Sequence, residues 1–179
     1  KSSMLYHMKN FYCDKNVKIE RLENLTWKIT IFNNILFEAS VYTLLNTELI
    51  DNIDLQELSF NIRVNNIDFV SDIPIKNNNY NIANRLIDNI FLQFSIYNQY
   101  DYSVEYLHPK YILSLDNNSF IIVNGNILHS ISNDHMKITK PFTKNKYMAP
   151  EQLIANNLPL ILHKNVSLYS AGIITTKIL

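Results

Sequence analysis

Glycine is nearly absent from this chain: Gly125 and Gly172 are the two in 179 residues, and both stand in the C-terminal half. A loop that cradles nucleotide phosphates needs residues without a Cβ, so that backbone can approach the anion closely. The N-terminal half therefore holds no glycine-rich phosphate loop. The one cysteine, Cys13, excludes an internal disulfide and points to a reducing, cytoplasmic compartment. Neither sign of charge is in excess, with 16 Lys plus Arg against 16 Asp plus Glu, so no net field draws the chain to nucleic acid or an anionic membrane. No stretch approaches the roughly 18 uninterrupted apolar residues of a membrane span. The histidines at 7, 108, 129, 135 and 163 lack the spacing of a metal site, and a surface or hydrogen-bonded role is expected for them. Asp134-His135 has no nucleophile beside it and carries no acid–base expectation. Neither metal nor cofactor is expected.

What is present describes a folded protein. Apolar residues make up 47% of the chain and charged residues 18%, which favours a globular core over disorder. Asn (26) and Ile (25) are abundant while Gly, Ala, Arg and Pro are scarce, a bias toward AT-rich codons. It points to an AT-rich genome, such as that of a large DNA virus of the poxvirus type or a protist parasite. The Asn clusters at 65–66, 77–79 and 117–118 are read accordingly as turns and codon drift. The chain begins at Lys1 without a methionine, which leaves a processed terminus or a targeting signal open.

Period-2 alternation predicts strands over 17–22 and 27–32 around a Glu23-Asn24 turn. A helix is predicted over 35–45, with Ile35, Ala39 and Tyr42 on one face. Phe60 to Val64 and Ile67 to Val70 read as a hairpin about Asn65-Asn66. After a polar linker at 76–79, the longest helical pattern runs from Ile82 to Tyr100, with Ile87, Ile90, Phe91, Phe94 and Tyr97 on its apolar face. Phe120 to Val123 is a buried strand preceded by an Asp116-Asn117-Asn118 turn.

The motifs that bear on function come late. Tyr147-Met148-Ala149-Pro150-Glu151 is followed, sixteen residues after the Glu, by Ser167-Leu168-Tyr169-Ser170-Ala171-Gly172. Upstream, His108-Pro109-Lys110-Tyr111-Ile112-Leu113 precedes Asn124-Gly125-Asn126, with Tyr111 and Asn124 thirteen residues apart. In order and spacing these segments resemble the eukaryotic-type protein kinases: the end of the catalytic loop, Asp-Phe-Gly, Ala-Pro-Glu, and the Asp-x-Trp/Tyr-Ser-x-Gly that opens the central helix of the C-lobe. The resemblance covers residues 82 to 179 by motif and the N-terminal part by order of elements alone.

The resemblance implies an α+β, two-lobed kinase-like fold. Residues 1–75 would form a small antiparallel sheet plus a helix, and residues 76–179 a truncated, mainly helical C-lobe. It also implies that the chemistry is gone. The catalytic Asp position is Tyr106, the loop Lys is His108, the metal-binding Asn is Tyr111, and the metal-binding Asp is Asn124. Phosphoryl transfer depends on charge neutralisation and positioning, and a neutral amide is a poor magnesium ligand. Losing the general base alone costs about a hundred- to ten-thousand-fold. Lys28 and Glu38 are candidates for the family's structural ion pair, although closer in sequence than usual; the alternative is two solvated charges. Thr143 falls one place early for the family's Gly-Thr, which reads Thr143-Lys144 here.

Two structural anchors also depart from the pattern. The central-helix Asp is Ser167, and every arginine precedes Glu151, so Glu151 is expected to be solvated or bonded to backbone. The helices that follow in the family would be missing after Leu179. The face formed by Tyr169, Ile173, Ile174 and Ile178 is then expected to be covered by a protein partner or a second copy. The sequence thus reads as a catalytically inactive, pseudokinase-type interaction or scaffold module, not an enzyme. The alternatives are a divergent active kinase or a nucleotide-binding switch.

Overall fold

Alternation of buried and wet side chains builds the first sheet. In β2 (Val17–Glu23), Val17 and Ile19 turn inward; in β3 (Thr26–Ile31), Trp27, Ile29 and Ile31 do the same. With β1 (Phe11–Cys13), β4 (Ile50–Asp54) and β5 (Ser59–Arg63) they form a five-stranded antiparallel sheet ordered β1-β2-β3-β5-β4. Helix α1 (Asn34–Leu44) starts where the Asn33 carboxamide oxygen accepts the Ile35 and Leu36 N–H groups, both at 3.0 Å. It turns Leu36, Phe37, Ala39 and Leu44 into the core. These coordinates are a computed structural model that describes residues 10–73, 79–141 and 143–178. The expected boundary at 75/76 and the linker residues 76–78 lie outside the described residues, as does His7.

The longest helix, α2 (Tyr80–Gln99), buries Ala83, Leu86, Ile90, Phe94 and Tyr97 and packs against α1. It also closes the edge of a second sheet. That sheet has the order β6-β8-β9, from β6 (Ile67–Phe69), β8 (Ile112–Leu115) and β9 (Ser119–Ile122). Strand β9 would present unpaired peptide groups at its outer edge. Instead the Phe120 N–H donates to the Asn89 side chain at 2.8 Å. Gln93 spans the next two groups, its Nε2 donating to the Phe120 carbonyl at 2.8 Å and its Oε1 accepting the Ile122 N–H at 2.9 Å. Gln93 is fully buried.

A third antiparallel sheet, β12-β11-β10-β7, comprises β7 (Tyr102–Val104), β10 (Leu128–Ser132), β11 (His135–Ile138) and β12 (Leu160–His163). Asn133 and Asp134, both at positive φ (50° and 63°), form the two-residue turn between β10 and β11. Met136, Ile138, Ala149, Leu162 and Val166 make a small core of their own here. Two helices complete the chain: α3 (Pro150–Leu153) and α4 (Ser167–Ile178), the latter packed on α2.

This architecture overturns the expected fold class. The described residues hold twelve strands in three antiparallel sheets and four helices, so sheet predominates and the C-terminal part is not the mainly helical lobe of a kinase-like fold. After α2, short apolar runs of strand length are punctuated by residues that tolerate positive φ (Asp101, Asp116, Asn117, Asn133 and Asp134), which favours hairpins over helices. The expected hairpin of 60–64 with 67–70 is also corrected. Strand β5 pairs with β3 and β4, whereas β6 pairs with β8, so the Asn65-Asn66 link passes between sheets. Phe91, expected on the apolar face of α2, is 48% exposed. The helices over 34–44 and 80–99 and the strands over 17–23, 26–31 and 119–122 lie where the periodicity put them.

Candidate functional site

The β8–β9 hairpin positions the residues singled out by sequence. Tyr111 ends a 3-10 turn (Pro109–Tyr111) just before β8, and Asn124 follows β9. The Val123 N–H donates to the Tyr111 carbonyl at 2.9 Å, so the two ends of the hairpin lie side by side. Tyr111 and Asn124 share the lining of a cleft of about 240 Å³ with Tyr12, Asp14, Asn16, Phe69, Ser71, Lys110 and Val123. Of these nine residues Asp14 alone carries a carboxylate.

The Asp14 carboxylate, the Asn124 amide oxygen and the Tyr111 hydroxyl in this cleft are otherwise engaged. Asp14 Oδ1 accepts the Asn16 and Val17 N–H groups at 2.7 and 2.9 Å, and its Oδ2 accepts the Tyr12 hydroxyl at 3.0 Å. Burial and this carboxylate push the Tyr12 phenol up to about 12. The Asn124 carboxamide oxygen accepts the Asn126 N–H at 2.9 Å, closing its own turn. The hydroxyls of Tyr106 and Tyr111 are 2.9 Å apart and bonded to each other. Burial, then this bond, raises the Tyr106 pKa well above the ordinary phenol value. Among the described residues no group of three or more His, Cys, Asp or Glu side chains could hold a metal ion. Magnesium prefers several hard anionic oxygens, so these residues do not fit a magnesium–nucleotide complex.

His108 extends the aromatic cluster. Its ring lies 5.7 Å from Tyr111 and 4.7 Å, edge-on, from Tyr147. Its Nδ1 accepts the Lys110 N–H at 3.1 Å, which leaves the proton of the neutral ring on Nε2. Burial first, then the charges of Lys110, Lys146 and Lys177, lower its pKa to about 4. The ring is neutral at pH 7.

The remaining sequence-predicted residues scatter. Lys28 pairs with Glu57 at 2.8 Å, and Glu38 accepts a hydrogen bond from the Tyr100 hydroxyl, so the candidate Lys28–Glu38 pair does not form. Ala149 is buried in the small core, while Pro150 and Glu151 are exposed and Glu151 is solvated. The anchor beside it is Gln152, which sequence reasoning missed. Its Oε1 accepts the Ala149 N–H at 2.9 Å and its Nε2 donates to the Glu105 carbonyl at 3.0 Å, with the side chain fully buried. Ser170, also buried, donates to the Tyr147 carbonyl and so fastens α4 to the same segment. Ser167 is buried at the start of α4.

No protein-family model matches this sequence, and no curated protein is significantly similar to it.

The expected interaction face divides. Ile174 (1% exposed) and Ile178 (9%) point into the chain's own core and Ile173 packs against it, whereas Tyr169 is 44% exposed. Residues 169 and 173 fall one turn apart, but the inner stripe of α4 is claimed by α2. Gly172 meets open space on the outer side. The exposed large apolar residues of this region are Leu153, Ile154, Leu158, Ile161, Leu168 and Tyr169, with Ile154 (76%) and Ile161 (55%) the most open. Among the described residues no helix is long and apolar enough to cross a membrane.

Proposed function

We propose that this chain is a non-catalytic protein-interaction module whose late motifs resemble those of the protein kinases in order and spacing alone. The observation that carries the reading is the state of the cleft. Its one carboxylate, Asp14, is spent on a turn and on Tyr12, and the two positions that would orient substrate and metal are phenols bonded to each other. Such a site offers neither a base near neutral pH nor a ligand set for magnesium.

An interaction role is supported by the apolar residues left outside between Leu153 and Tyr169. Large apolar side chains exposed on a folded domain mark a contact with another protein where they gather into a patch. The test is a pair of surface variants, Ile161→Asp and Tyr169→Asp, compared with wild type by sedimentation and by quantitative capture of bound proteins. Loss of a self-association or of a reproducible partner in both variants, with the fold unchanged by circular dichroism, is expected. Wild-type protein that is monomeric and captures nothing specific would remove the reading.

A further inference from the structure

Two ammonium groups converge on one ring at the edge of the cluster just described. Lys177 Nζ lies 4.6 Å from the centre of the Tyr147 ring and 3.3 Å from its hydroxyl, and Lys146 Nζ lies 5.5 Å from the same ring centre. They are also within reach of each other, and the contact with Lys177 holds the Lys146 pKa below its ordinary value. Ammonium groups donate hydrogen bonds and accept none, so two of them side by side repel unless an acceptor lies between. The ion pairs among the described residues all involve other side chains, and none engages Lys110, Lys146 or Lys177. Lys177 alone could be read as a cation–π contact in the last turn of α4, favoured by the helix dipole. That reading extends to Lys146 over the same ring, but it leaves the two like charges in contact with no counter-charge among the described ion pairs.

Donors of two kinds, ammonium and imidazole N–H, lie about the Tyr147 ring and its neighbour Tyr111. His108 abuts the Tyr147 ring, with its Nε2 as the proton-bearing nitrogen, and Lys110 lies over the neighbouring Tyr111 ring at 5.3 Å. We propose that Lys146 and Lys177, with His108 beside them, bind a phosphate group, which supplies the several acceptor oxygens that this set of donors lacks. The ligand class is a phosphate monoester or free phosphate, and the site is independent of whether the cleft lined by Tyr111 and Asn124 is catalytic.

Thermal unfolding of the full chain is measured in inorganic phosphate and in sodium chloride of matched ionic strength. At phosphate ten times its dissociation constant, the folding equilibrium should rise about elevenfold over the chloride control. The rise should vanish in Lys146→Gln/Lys177→Gln. Without phosphate, Lys146→Gln should be at least as stable as wild type, because it removes a like-charge contact; this result separates a binding role from a structural one. A phosphoserine peptide then names the source: tighter binding than inorganic phosphate assigns the anion to a modified side chain, equal or weaker binding assigns it to free phosphate, and either supports the site. Equal stabilisation by chloride and phosphate, an undiminished response in the double variant, or a destabilised Lys146→Gln would overturn the proposal.

Discussion

Replacing Gln93 with Leu is a sharp probe of how this fold holds its site. The side chain is fully buried and bridges α2 to the outer edge of β9 through the Phe120 carbonyl at 2.8 Å and the Ile122 N–H at 2.9 Å. Strand β9 faces β8 on its other side, so neither group has a second strand to turn to. Leu keeps nearly the same volume and leaves both peptide groups dry and unbonded. Each orphaned group costs about 1–3 kcal/mol, partly offset by the apolar character of Leu, for an expected net loss of about 2–4 kcal/mol. In a chain of this size that lowers the melting temperature by roughly 4–16 °C. Because β8 and β9 carry Tyr111 and Asn124 at their ends, the Tyr106–Tyr111 hydroxyl bond should loosen too, with faster hydrogen exchange at Val123. Urea unfolding followed by circular dichroism measures the loss. A loss below about 0.5 kcal/mol, the range of neutral surface changes, would refute the bridging role.

Two further outcomes follow from the same geometry. His108 is neutral in the fold down to about pH 4, against an ordinary value of 6.5. The unfolded chain therefore takes up a proton between these pH values that the native state refuses, and stability falls as pH drops through this window. His108→Asn retains a cap for the 109–111 turn and should flatten that part of the curve in pH-dependent thermal melts; an unchanged slope would contradict the assignment. Ile174→Asp places a charge at a position 1% exposed, so it should cost several kcal/mol and yield unfolded protein rather than a soluble, association-deficient one. A folded Ile174→Asp protein would show that α4 does not pack as described.

Local periodicity was enough for the parts of this fold that repeat regularly. Val17, Ile19, Ile29 and Ile31 alternate, and Ala83, Leu86, Ile90, Phe94 and Tyr97 recur at helical spacing, so those elements were legible in the chain. The third sheet was not, because β7, β10, β11 and β12 are three to five residues long and their pairing depends on partners far apart in sequence. The Asn133-Asp134 turn was the one local sign, hidden in a chain where Asn is everywhere. Tyr111 and Asn124, singled out by motif spacing, line one cleft. The spacing could not show that Asp14, some hundred residues away, would line the same cleft already committed to its own turn. It also pointed to Glu151 when the buried anchor is the next residue, Gln152, a polar side chain whose role shows only once the Glu105 backbone lies beside it. Ile174 and Ile178 looked free because nothing in sequence says that α2 takes their face.

Thermal unfolding with millimolar ATP, with and without magnesium, tests the central claim most directly. A bound nucleotide at a hundred times its dissociation constant would add about 2.7 kcal/mol and an easily seen shift. With Asp14 occupied, Asn124 closed on its own turn and Tyr106 bonded to Tyr111, the predicted result is the same melting temperature with magnesium and ATP together as with either alone. A magnesium-dependent rise of several degrees would contradict a non-catalytic cleft and return the chain to the nucleotide-binding class.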